Sequence, residues 1–176
     1  MMHPAKLSLL ASVLALLLLS AAPAAAQPAA KRGPSTPEER AKAVELVRVL
    51  ETAPSSPEAA QGRQWLDTWL GEIPDLTVKY CLSLFGATKE AVTKELPRDL
   101  TMQHAYSGAA YLIQNPGTGA GQTETLVAGL QGTLRAYQAL KAEKSPDTYP
   151  LLEALLEKDR AGTLDVHVRT YGRNCR

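Results

Sequence analysis

Aromatic residues are scarce in this 176-residue chain, with one Phe, two Trp and six Tyr. Histidine is scarcer still, and cysteine occurs twice. A serine or cysteine hydrolase needs a nucleophile, a base and an orienting acid. Here His104 and His167 are the only histidines outside the first few residues, and no G-x-S-x-G occurs. A zinc site needs two or three ligands at helical or loop spacing. His104 has no acid or second histidine three or four positions away, and His167 has only Asp165 close by. No metal and no cofactor are expected, and catalysis is the weaker expectation.

Charge of one sign is also lacking. With 19 Lys and Arg against 18 Asp and Glu, and no basic cluster, the chain offers no electrostatic footprint for nucleic acid or anionic lipid. Long apolar runs are absent after residue 26, so no membrane insertion of the processed chain is expected.

The one long apolar run lies at the start. Lys6 precedes residues 7–22, which carry no charge and are shorter than the ~18–20 residues of a spanning helix. Ala24, Ala25 and Ala26 supply a small-residue cleavage site. Residues 1–26 therefore read as a signal peptide cut after Ala26, leaving Gln27 first. An uncleaved anchor fits the length and the alanine triplet less well. The expected location is the periplasm or the medium. The leader contains one basic residue and no acid, so the processed chain has 18 of each sign.

In an oxidising compartment, Cys81 and Cys175 are most simply a disulfide. A redox pair would want C-x-x-C spacing, and a metal site more His or Cys nearby. Residues 27–35 (QPAAKRGPS) have linker composition, and 36–176 are expected to form one helical domain.

The clearest signal is a helical hairpin over residues 99–143. In its second helix Leu126, Leu130, Leu134, Tyr137 and Leu140 form a bulky stripe. Beside it Gly129, Gly132, Ala136 and Ala139 form a stripe of almost no volume, suited to very close packing. The first helix, 99–114, has Met102, Ala105, Tyr106, Ala109, Leu112 and Ile113 over a wide apolar arc. The loop 115–122 (NPGTGAGQ) has spaced glycines, but Gln122 stands where a phosphate-binding loop needs lysine. It reads as an interhelix turn with Gly121 or Thr123 as cap.

Ahead of the hairpin, Thr36, Pro37 and Glu39 make a capping box and Ala43, Leu46, Val47 and Leu50 an apolar face. Ser56 and Pro57 start a second helix carrying Trp65 and Trp69, which read as core rather than as a sugar platform. Residues 75–85 fit both an alternating strand and a helix face. With no second strand-like run for pairing, a helix capped by Asp75 is expected. A short helix over 88–95 follows. After the hairpin, a turn at 145–148 leads to a helix with Leu151, Leu152, Leu155 and Leu156, and a last helix carries Leu164, Val168 and Tyr171.

The expectation is an all-α, single-domain bundle of six or seven helices with one disulfide. No constant repeat length supports a solenoid. The candidate ligand-binding residues are His104, Ser107 and Tyr111, which share one side of the first hairpin helix with Gly108. The expected function is that of an exported, non-catalytic binding or structural protein, its partner a protein or a small ligand of unknown identity. The alternative is an enzyme with a cryptic polar site near His104 and Tyr111.

Overall fold

The structure, a computed structural model, describes residues 32–143 and 147–175, apart from the Asn174 side chain. The expected leader, residues 27–31 of the expected linker, and part of the turn at 145–148 lie outside the described residues. Residues 32–176 form one unit. It contains seven α-helices and, among the described residues, no strand, as the all-α reading requires.

Helix α1 (Pro37–Thr52) begins with the capping box in full: the Thr36 hydroxyl accepts from the Glu39 N–H, and the Glu39 carboxylate accepts from the Thr36 N–H. Helix α2 (Pro57–Glu72) starts from Ser56, whose hydroxyl accepts from the Ala59 N–H. The pair packs through Ala43, Val47, Leu50, Leu66 and Trp69. Trp69 is buried, and Trp65 is half-buried, stacked on Trp69 at 5.2 Å with the Lys42 ammonium over its ring. Asp75, just beyond α2, accepts from the Ser35 N–H and hydroxyl and from Arg40, so the chain before α1 is tied to the end of α2. Those donors hold the Asp75 carboxyl well below the usual carboxylate range.

The helix expected over 75–85 does not form. Residues 76–81 form no regular element, with Cys81 itself extended, and Leu82–Phe85 make one 3-10 turn ended by Gly86 at φ +77°. The expectation assumed that only a helix or a second strand could satisfy this backbone. A side chain does part of that work instead: the Cys81 N–H donates to His104 Nε2 at 2.9 Å.

Three helices follow. Helix α3 (Lys89–Glu95) is capped by Thr88. Helices α4 (Arg98–Gln114) and α5 (Thr123–Ala142) are the expected hairpin. Gln122, not Gly121 or Thr123, occupies the cap position of α5, and it makes no side-chain cap bond. The Thr125 hydroxyl instead donates to Gly119 O, tying the loop to the first turn. Helix α4 is buried on nearly every side from Leu100 to Ala110 and divides two apolar clusters. Tyr106 and Ala110 face α1 and α2. The bulky stripe of α5 packs on the other side with α6 (Pro150–Arg160) and α7 (Leu164–Tyr171). The tail closes through the expected Cys81–Cys175 disulfide, with Cα atoms 5.8 Å apart. The Ser83 hydroxyl donates to Tyr171 O beside it.

Candidate functional site

The site is built on the crossing of α4 and α5. A Cβ on Gly129 would lie 2.5 Å from the His104 carbonyl oxygen. One on Gly132 would lie 1.9 Å from Ser107 Oγ and 2.5 Å from Glu51 Oε1. The small stripe of α5 is thus where the polar side of α4 goes. That side, on which the candidate residues lie, is the buried interface of the hairpin. Its polar groups must be satisfied internally, and the bonds that do so define two separate environments.

His104 belongs to the first. It is almost fully buried, with Tyr80 stacked at 5.5 Å and Phe85 edge-on at 5.7 Å. Nδ1 faces the Thr101 carbonyl oxygen at 2.5 Å, which can only accept, so Nδ1 carries the proton. Nε2 accepts from the Cys81 N–H. Both nitrogens of a neutral ring are thereby committed to main chain. Burial pushes the His104 pKa down to about 4, against partial opposition from the Thr101 and Lys79 carbonyls. The cavity between the ring, Gly108 and Thr125 is about 10 Å³, room for no more than a water molecule. The ring fastens the irregular segment 76–81 to α4 through Cys81.

Ser107 and Tyr111 lead to the second environment, a cleft of about 230 Å³ between α1, α4 and α5. Ser107 Oγ accepts from Gln103 Nε2 at 3.0 Å and donates to Glu51 Oε1 at 2.7 Å. Arg135 of α5 grips the same carboxylate bidentately, Nε to Oε2 at 2.7 Å and an NH2 to Oε1 at 2.9 Å. The Glu51 side chain is only 12% exposed while Arg135 is 52% exposed, so the carboxylate is turned in and the guanidinium faces out. Arg48, Tyr111 and Gln114 complete the polar rim, and Val44, Val47, Ala110 and Ala128 form the apolar wall.

The structure therefore brings together Ser107 and Tyr111 of the three expected residues and sets His104 apart. His104 and Tyr111 are seven residues apart on one face, but that is about 10 Å along the axis. Glu51, Arg135 and Gln103 were missed. Glu51 and Arg135 come from other helices, and their only sequence signal was a charge beside an apolar stripe. Among the described residues no three His, Cys, Asp or Glu side chains converge as metal ligands. No helix among them is long and apolar enough to cross a membrane. Comparison with protein-family models, curated proteins and solved structures finds no match for this chain.

Proposed function

We propose that this chain is exported, loses residues 1–26, and acts in the periplasm or the medium by binding a small ligand in the α1–α4–α5 cleft rather than by catalysis. The observation that carries the reading is the convergence of Glu51, Ser107, Tyr111 and Arg135 from three helices on one open cleft. Their charged members are already paired with one another. A prearranged, internally satisfied polar floor costs little reorganisation when a ligand arrives, which favours recognition. The leader composition and a disulfide that persists only in an oxidising compartment support export.

The alternative, an enzyme at the polar groups near His104 and Tyr111, draws on the same ionisable lining. It has less behind it, because both His104 nitrogens are bonded to main chain and the two residues open onto different cavities.

Amide spectra of ¹⁵N-labelled protein with mixtures of small polar compounds test the proposal. Saturable shifts confined to Ala110, Tyr111, Ala128 and their neighbours are expected, with the compound recovered unchanged. Turnover that Tyr111→Phe abolishes would replace the proposal with the alternative. Shifts that never localise to the cleft would refute both.

A further inference from the structure

We propose that the cleft takes a small organic monocarboxylate with an apolar body, an assignment that rests on the binding reading above. The charges lining the cleft are Arg48, Arg135 and Glu51, and each guanidinium is matched by one carboxylate, Glu45 on Arg48 and Glu51 on Arg135. Glu51 has three of its roughly four acceptor sites filled: Oε1 takes Ser107 and Arg135, and Oε2 takes Arg135. A ligand amine would meet a mostly buried carboxylate with one acceptor site left and the Arg135 guanidinium already against it.

The two guanidiniums are differently placed. Arg48 spends Nε and one NH2 on Glu45, and Arg135 spends the same two groups on Glu51. Each guanidinium carries five N–H donors, so each keeps a second edge. Arg48 is 63% and Arg135 52% exposed, so those edges lie within reach of an incoming oxyanion. A guanidinium edge matches the two oxygens of a carboxylate. The Tyr111 hydroxyl and the Gln114 amide make no side-chain hydrogen bond to the described residues and stand on the same rim.

The rest of the lining sets the remainder of the ligand. Val44, Val47, Ala110 and Ala128 would leave a wholly polar oxyanion such as phosphate poorly solvated on one side. With both guanidiniums already balanced by carboxylates, a monoanion adds less uncompensated charge than a dianion. At about 230 Å³ the space falls below the ~300–1,000 Å³ typical of drug-sized ligands, which limits the apolar body to a short chain or a single ring.

The experiment titrates the oxidised, purified protein with benzoate and hexanoate, each against its neutral amide, and with inorganic phosphate, following ¹⁵N amide shifts. At least one carboxylate should saturate shifts at Ala110, Tyr111 and Ala128 and bind ~10-fold or more tightly than its amide. Arg48→Gln, which breaks only an exposed ion pair, should weaken that binding ~10-fold. Ala128→Leu, which fills the apolar wall, should abolish it. Amide and acid binding equally well at these positions would overturn the carboxylate assignment while leaving the cleft a binding site. Phosphate binding as tightly as the better acid would overturn it by showing unspecific anion attraction. No saturable shift from either acid would also overturn it, and the mixed-compound spectra then judge the binding reading separately.

Discussion

Gly132→Ala is the sharpest test of how the centre of the fold is held. On the present backbone the new methyl would sit 1.9 Å from Ser107 Oγ and 2.3 Å from Ser107 Cβ. The hydroxyl can rotate away, but Ser107 Cβ is fixed to α4. Non-bonded carbons prefer ~3.5–4.0 Å, so α4 and α5 must part by ~1 Å or more. Overpacking of that kind costs ~1–3 kcal/mol. Separation also weakens the Ser107 bond to the Glu51 carboxylate, of the charge-assisted type worth ~1.5–3 kcal/mol. Against this, alanine is the better helix former by ~1 kcal/mol. The net is a loss of ~1.5–5 kcal/mol, or ~3–20 °C in melting temperature at ~2–4 °C per kcal/mol. Gly71→Ala near the end of α2 is the control, since its Cβ meets nothing within 4 Å; it should leave the melting temperature unchanged or raise it. In a Ser107→Gly background the Gly132→Ala penalty should shrink, because the closest atoms are gone. Equal melting temperatures for Gly132→Ala and Gly71→Ala would refute the account of the helix crossing.

Three further outcomes follow from the described bonds. His104 has its folded pKa at about 4, below its ordinary value of 6.5, so the unfolded chain binds the extra proton first. Stability should be complete above pH ~6.5 and fall by ~3 kcal/mol as pH drops to ~4; a His104 ring proton that titrates near 6.5 in the folded protein would contradict this. Reducing the disulfide, which spans 94 residues of sequence, should remove ~4–5 kcal/mol and expose α7 to protease, whereas two titratable thiols in the native unreduced protein would deny the bond. Intact mass of the exported product should correspond to a chain starting at Gln27, and retention of residues 7–22 would mean an anchor.

What could be read in advance was what neighbours in sequence decide. The Thr36–Glu39 box, the Ser56 cap and the two stripes of α5 are local patterns, and each has the partner its spacing implies. The irregular segment 76–81 was misread because its partner is a histidine ring more than twenty positions away, and nothing near Cys81 announces it. The site divided along the same line. Ser107 and Tyr111 share a helical face one turn apart, so sequence placed them together. Glu51 reaches Ser107 from 56 positions away and Arg135 reaches Glu51 from 84, distances at which only the packed helices decide who meets whom. The volume-poor stripe of α5 was recognised as a close-packing surface, yet what packs on it, the polar side of α4, was not, because periodicity cannot show that α4 is covered on nearly every side.

The Cys81–Cys175 bond also turns part of the chain into a covalent ring. Helices α3 to α7 lie inside that ring, and α1 and α2 lie outside it. A single nick in the loop at 115–122 would leave one covalently joined molecule, heavier only by the water of hydrolysis, until a reductant is added. A nick at 53–56 would instead leave α1 with no covalent link to the ring, held by apolar contacts with α2 and α4, by the Glu51 bonds to Arg135 and Ser107, and by the Asp75 bonds to Ser35 and Arg40. Since α1 supplies one whole wall of the cleft, that single cut would leave the binding surface resting on non-covalent contacts alone while the ring stayed closed.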